Sequence, residues 1–260
     1  MTDAPRAREW IDQCQTLISR RGHRIAFRRR GQGPVVLMLH GFPTWSYDYA
    51  DVATDLARDH DVITLDFLGY GASDKPDPYE YSVAESADTV EDLAAHLHLD
   101  SVRLVAHDYG GIVGQELIDR VLAGQLPFTI SSVVMLNCGI VYSAYRPTRM
   151  QKLLILPVLG KLLAGRITAD RVRSALDAIR GPKVTDTEFD DLWYGVSLHD
   201  GHKLAYRHIR YNAERAAHHV DGRRLWLTGT VRCVWCGGST IRCRDDMSSK
   251  RRPRSCRAPR

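Results

Sequence analysis

One acidic side chain stands where the sequence is best arranged to do chemistry. Asp108 closes the run Val102-Arg103-Leu104-Val105-Ala106-His107 and is followed by Tyr109-Gly110-Gly111. A branched apolar run that stops at an acid and two glycines reads as a strand entering a helix through a very tight turn. Small neighbours are needed there because the turning residue is forced toward strained backbone angles. A carboxylate held up at the carboxyl end of a strand can attack an electrophilic carbon and form an ester. The same residues also fit an ordinary Asp-x-Gly turn, so the surrounding elements have to decide.

Those elements alternate. Thr16-Leu17-Ile18-Ser19 and Ile25-Ala26-Phe27, joined by the turn Arg20-Arg21-Gly22-His23-Arg24, read as an antiparallel hairpin. Val35-Val36-Leu37-Met38-Leu39 is an unbroken apolar run that fits a strand buried on both faces. It leads into His40-Gly41-Phe42-Pro43-Thr44-Trp45-Ser46. Apolar residues at helical spacing follow over 46–58, then a strand at Val62-Ile63-Thr64-Leu65, then a helix over 82–99 with Ser82 as N-cap. Beyond Asp108, residues 111–123 form the next helix and 130–136 the next strand. Strands and helices in this order build a parallel sheet.

Taken together, these stretches resemble the α/β-hydrolase fold, in the branch of epoxide hydrolases, haloalkane dehalogenases and mesoderm-specific transcript proteins. Residues 106–111 fit its nucleophile elbow, small-x-nucleophile-x-small-small, with Asp in place of the commoner Ser. The resemblance implies an oxyanion hole made by the backbone N–H groups of Phe42 and Tyr109, where fixed dipoles meet developing charge. It also makes Asp66-Phe67-Leu68-Gly69-Tyr70-Gly71-Ala72-Ser73-Asp74-Lys75-Pro76 a family loop, structural in role. His40 and His107 are read as structural imidazoles. Residues 139–223 read as helices only, at the place where the family inserts a helical lid. Epoxide hydrolases carry lid tyrosines that protonate the ring oxygen. Of Tyr142, Tyr145, Tyr194, Tyr206 and Tyr211, the last sits best by local resemblance, with a surface tyrosine as the alternative. Dehalogenases place Trp after the nucleophile, whereas this chain has Tyr109, which weakens the halide reading. The implied substrate is a small apolar electrophile (epoxide, ester or haloalkane), with no cofactor and no metal. A non-catalytic binder using the same pocket is the reading from a different class.

Composition sets the remaining limits. At 260 residues and 44% hydrophobic, the chain suits one α/β domain with an insertion. The polar start carries no secretion signal, and the apolar stretch over 153–163 is too short to span a membrane. Docking of that stretch on a membrane surface stands beside its use as a lid. A cytoplasmic protein is the expectation. The net charge of +5 would hint at nucleic acid, but much of the basic charge lies at the C-terminal end, and no nucleic-acid partner is expected.

After Thr230 the character changes. Residues 231–260 hold eight arginines, four of the six cysteines and no periodicity. A basic tail, a nucleic-acid segment, or a zinc site on Cys233-x-x-Cys236 with Cys243 and Cys256 all fit weakly. A frameshift in a GC-rich gene fits better. Synonymous codons for 232–245, read from the third base, allow Val-Arg-Val-Val-Trp-Gly-Leu-Asp-Asp-Pro-Val-Ser-Gly. That is a strand followed by the Gly-x-x-Asp-Pro turn which, in the family, bears the catalytic acid. The expected division is therefore a core over 1–138, a lid over 139–223 and an aberrant tail over 224–260. The last strands, the acid and the catalytic His would be missing, the strand at 130–136 would be left as an unpaired edge, and the chain would be inactive and poorly stable.

Overall fold

A computed structural model describes residues 4–139, 146–179, 182–218 and 232–236. The chain opens with α1 (Pro5–Asp12), then β1 (Gln15–Ile18), β2 (Arg24–Arg30) and β3 (Val35–Leu39). A 3-10 turn at Ser46–Tyr49 leads into α2 (Ala50–Leu56), followed by β4 (Asp61–Leu65), α3 (Val83–His96), β5 (Ser101–His107), α4 (Tyr109–Leu122) and β6 (Thr129–Leu136). Helices follow: α5 (Arg149–Leu154), α6 (Pro157–Ala164), α7 (Ala169–Ile179), α8 (Asp186–Ser197), α9 (Ala205–His208) and α10 (Tyr211–His218). The last described element is β7 (Arg232–Cys236).

Among the described residues these strands form one sheet in the order β1-β2-β4-β3-β5-β6-β7. The β1–β2 and β2–β4 pairs are antiparallel and the rest parallel. The sheet is mostly parallel with helices packed on it, as the sequence led us to expect.

Strand alternation sorts the core into two layers. On β3, Leu37 and Leu39 face one side with Leu104 and Ala106 of β5 and the apolar residues of α3 and α4. Val36 and Met38 face the other, against Trp10, Trp45, Tyr49 and Val196. Period-two alternation on an all-apolar strand therefore feeds both layers at once. The covering thins toward β5 and β6, where Arg103 is exposed and Val105 and Val134 are only half-buried. Ser82 caps α3 as its sequence suggests, its side chain accepting from the Glu85 N–H at 3.1 Å.

No element was assigned before Thr16, and residues 5–12 form α1, with Pro5 in its first turn and Ala7 and Trp10 buried. One expectation needs correcting: the strand at 130–136 is not an unpaired edge, because β7 lies parallel to it from Ser132↔Arg232 to Leu136↔Cys236. Ladder hydrogen bonds come from the backbone, so a short segment centred on Val234 and Trp235 can pair whatever its flanks contain. The other tail cysteines, Cys243 and Cys256, lie outside the described residues, as do Tyr142 and Tyr145.

Candidate active site

Asp108 occupies the turn between β5 and α4 with φ 45° and ψ −107°. A non-glycine residue at positive φ stores on the order of 1–3 kcal/mol of strain. The surroundings leave it no alternative. The Asp108 N–H donates to the Leu136 carbonyl at 3.1 Å, and Gly110 donates to the His40 carbonyl at 2.9 Å. A Cβ on Gly110 would stand 2.3 Å from the Leu39 carbonyl oxygen, and one on Gly111 would stand 2.3 Å from the Cβ of Cys138. The two glycines are thus a steric requirement of the turn, as the sequence pattern implies.

The carboxylate is met by backbone. The Phe42 N–H donates to Asp108 Oδ1 at 2.9 Å. Burial pushes the Asp108 carboxyl above the usual carboxylate range. The Phe42 N–H, His107, the Tyr109 N–H and Arg215 oppose that rise, in that order. Phe42 and Tyr109 therefore converge on Asp108 although 66 residues separate Phe42 from it. The Phe42 turn is itself braced. His40 lies fully buried, with Nδ1 2.9 Å from the Gly41 carbonyl and Nε2 3.1 Å from the Phe67 N–H. Nδ1 therefore carries the proton and Nε2 accepts, which fixes the tautomer. Gly41 has no room for a side chain, since a Cβ there would lie 2.8 Å from Asp108 Cβ and 2.9 Å from His107 Nδ1. Burial lowers the His107 pKa, against the pull of Asp108.

The α/β hydrolase fold family matches residues 34–230. The chain belongs to that family. The match ends at residue 230, the last residue before the sequence changes character. The human mesoderm-specific transcript homolog protein is 38% identical over 210 residues, which cover 76% of this chain and 60% of that one. The chain thus spans about 60% of the length of this relative. Among solved structures, the epoxide hydrolase CorEH is similar with a TM-score of 0.68 at 18% identity, covering 85% of this chain and 80% of its own. The haloalkane dehalogenase DbeA from Bradyrhizobium elkani is similar with a TM-score of 0.66 at 21% identity, covering 82% and 74%.

In this chain the aromatic residues around Asp108 form one cluster. Tyr109 packs against Tyr211, with ring centroids 5.0 Å apart, and against Tyr70 at 6.2 Å. The Tyr109 hydroxyl is drawn away from the carboxylate, lying 2.7 Å from Ser86 Oγ and 3.5 Å from the Ser82 carbonyl. Tyr211 is 7% exposed, which rules out a surface role. The other described tyrosines within 139–223 are engaged elsewhere. Tyr206 reaches Asp77 at 3.5 Å, and Tyr194 lies under the Arg8 guanidinium.

Sequence reasoning missed two neighbours. Arg215 is buried, donates to the Gly139 carbonyl and places its charge against Asp108. It follows Tyr211 by four residues, so both project from one face of α10, and that spacing was the available signal. His208 is stacked on Tyr70 at 4.1 Å, with Tyr81 edge-on at 4.8 Å, and burial pulls its pKa down to about 3. Within the 260 residues no histidine follows His219.

Proposed function

We propose that Asp108 is the nucleophile of an epoxide hydrolase-like reaction. Its strained turn, with Oδ1 held by the Phe42 N–H at 2.9 Å, is the observation that carries this reading. Fixing one oxygen leaves Oδ2 to attack. As the C–O bond of a strained ring breaks, its electron pair passes to the ring oxygen, and Asp108 becomes an ester. The Phe42 and Tyr109 N–H groups then act as an oxyanion hole for the charge that develops when water attacks that ester. The Tyr211 hydroxyl is our candidate proton donor to the ring oxygen, supported by its burial and its packing on Tyr109. Helices α5 to α10 serve as the lid in this reading, and the turn at Asp108 as the nucleophile elbow.

Halide release is the weaker reading. A halide cradle next to the nucleophile would need a donor at position 109, and that phenol is already engaged by Ser86. We also propose that the chain as written stops at the ester. Hydrolysis needs an imidazole oriented by an acid, and the segment after Thr230, where the family match ends, supplies no histidine.

Mass spectrometry of the peptide bearing Asp108 tests the whole reading. After incubation with an epoxide, Asp108 should gain the full mass of the substrate, because nothing leaves when a ring opens. A haloalkane adduct would lack the halide. The chain with its reading frame restored across the codons for 225–231 should turn over epoxides. Absence of adduct in both chains, or halide release as the dominant activity, would overturn it.

A further inference from the structure

We propose that the outer face of α5 and α6 docks on an anionic lipid surface. The two short helices form a hairpin folded tightly on itself, and a Cβ on Gly160 would lie 2.0 Å from the Leu154 carbonyl oxygen. The inner face is buried through Leu154, Gly160 and Ala164. The outer face carries Met150, Leu153, Leu156, Val158, Leu159 and Leu162 in the open, with Val158 84% exposed and Leu162 51% exposed. Among the described residues these are six of the nine exposed large hydrophobic side chains. Concentrating them in thirteen residues marks the face as an interaction surface rather than scattered surface noise.

Charge identifies the occupant. Residues 146–169 contain five basic residues and no Asp or Glu. Arg149, Lys152, Lys161 and Arg166 are exposed, and among the described residues they form no ion pair. An apolar stripe rimmed by cations alone is the composition of a helix that lies in a membrane interface, its apolar side chains at the acyl boundary and its cations among anionic headgroups. A second copy of this chain fits poorly, because a two-fold contact would set the same basic rim against itself. Neither helix is long enough to cross a bilayer, so the hairpin lies on the surface. The surface is independent of the chemistry proposed for Asp108.

Vesicle flotation with the full chain tests this. Wild type should float with phosphatidylcholine–phosphatidylserine vesicles, much less with phosphatidylcholine alone, and should be released by high salt. Replacing Lys152→Gln and Lys161→Gln should weaken binding about fivefold per lysine. Val158→Asp at the most exposed position should weaken it by at least about tenfold. Both variants alter exposed side chains, and unchanged thermal melts would show that they fold. Failure of wild type to float overturns the proposal. So does binding that survives both sets of substitutions, which would assign it to the basic segment after Thr230. A concentration-dependent dimer that Val158→Asp abolishes, without vesicle binding, would give the face to a second copy.

Discussion

Adding one methyl group at Gly195 should loosen the seam between α8 and the sheet. Its Cβ would stand 2.1, 2.3 and 2.5 Å from three atoms of the Trp45 indole. Carbon atoms meet comfortably at roughly 3.5–4.0 Å, so either the ring or the helix must move by more than an ångström. The ring is not free to move. Trp45 is 0% exposed and its Nε1–H donates to the Leu192 carbonyl at 3.1 Å. Overpacking of this kind costs about 1–3 kcal/mol, and loss of the indole hydrogen bond adds about 1 kcal/mol. Alanine in place of glycine inside a helix returns about 1 kcal/mol. The net expectation for Gly195→Ala is a destabilisation of about 1–3 kcal/mol, a fall in melting temperature of roughly 2–12 °C at about 2–4 °C per kcal/mol. Thermal melts followed by circular dichroism measure it. The double variant Gly195→Ala/Trp45→Phe should recover part of the loss, because the two changes share one contact. If Gly195→Ala matches or exceeds wild type, helix propensity alone decides and α8 is not seated on Trp45.

Asp108→Asn should abolish ester formation yet raise stability at neutral pH by about 1 kcal/mol, because the amide keeps an oxygen for the Phe42 N–H without the charge that burial penalises. The folded protein holds the Asp108 proton more tightly than the unfolded chain, so wild-type stability falls as pH rises through the window between those pKa values. The gap to the variant should therefore narrow in acid; urea melts at two pH values would show a widening gap if the sign is wrong. Arg215→Gln removes a charge that lowers the Asp108 pKa, so the acid limb of the ester-formation rate should move to higher pH, and an unmoved limb would refute that coupling. Tyr109→Phe should cost about 1 kcal/mol of stability through the lost bond to Ser86 and leave the rate of ester formation nearly unchanged. A selective loss of halide release would show instead that the phenol serves a leaving group.

Where structure depends on neighbours in the chain, the sequence was readable. The strand, acid and two glycines at 102–111 placed Asp108 in its turn as a contiguous pattern, although the groups that exclude a side chain at Gly110 and Gly111 are the distant Leu39 carbonyl and Cys138. The loop over 66–76 was read as structural, and Asp66 indeed accepts from the Ser46 and Ala72 N–H groups, both at 2.8 Å. Helix α1 escaped notice because its few buried residues, Ala7 and Trp10, give little periodicity in a polar octet. Arg215 escaped because its approach to Asp108 depends on how α10 folds back over the sheet; the spacing from Tyr211 puts both on one helix face but does not say what that face meets. The pairing of β7 was invisible for the opposite reason. Backbone ladders take little information from side chains, so a compositionally foreign segment can still complete an edge.

The seating of α8 on Trp45 has a mechanical consequence. Asp191 accepts from the Ala7 N–H at 3.0 Å and from the Tyr47 hydroxyl at 2.8 Å, so this helix is pinned at the Trp45 turn and at α1 together. The pins lie a few residues along the chain from Phe42, whereas α6 rests on α9 and on the stretch Leu198–Leu204. Helix α8 is therefore tied directly to the residues beside Phe42, whereas the α5–α6 hairpin packs on α9 and Leu198–Leu204. On the reading proposed above, in which these helices form the lid, a displacement of the hairpin would leave the Phe42 N–H in place beside Asp108.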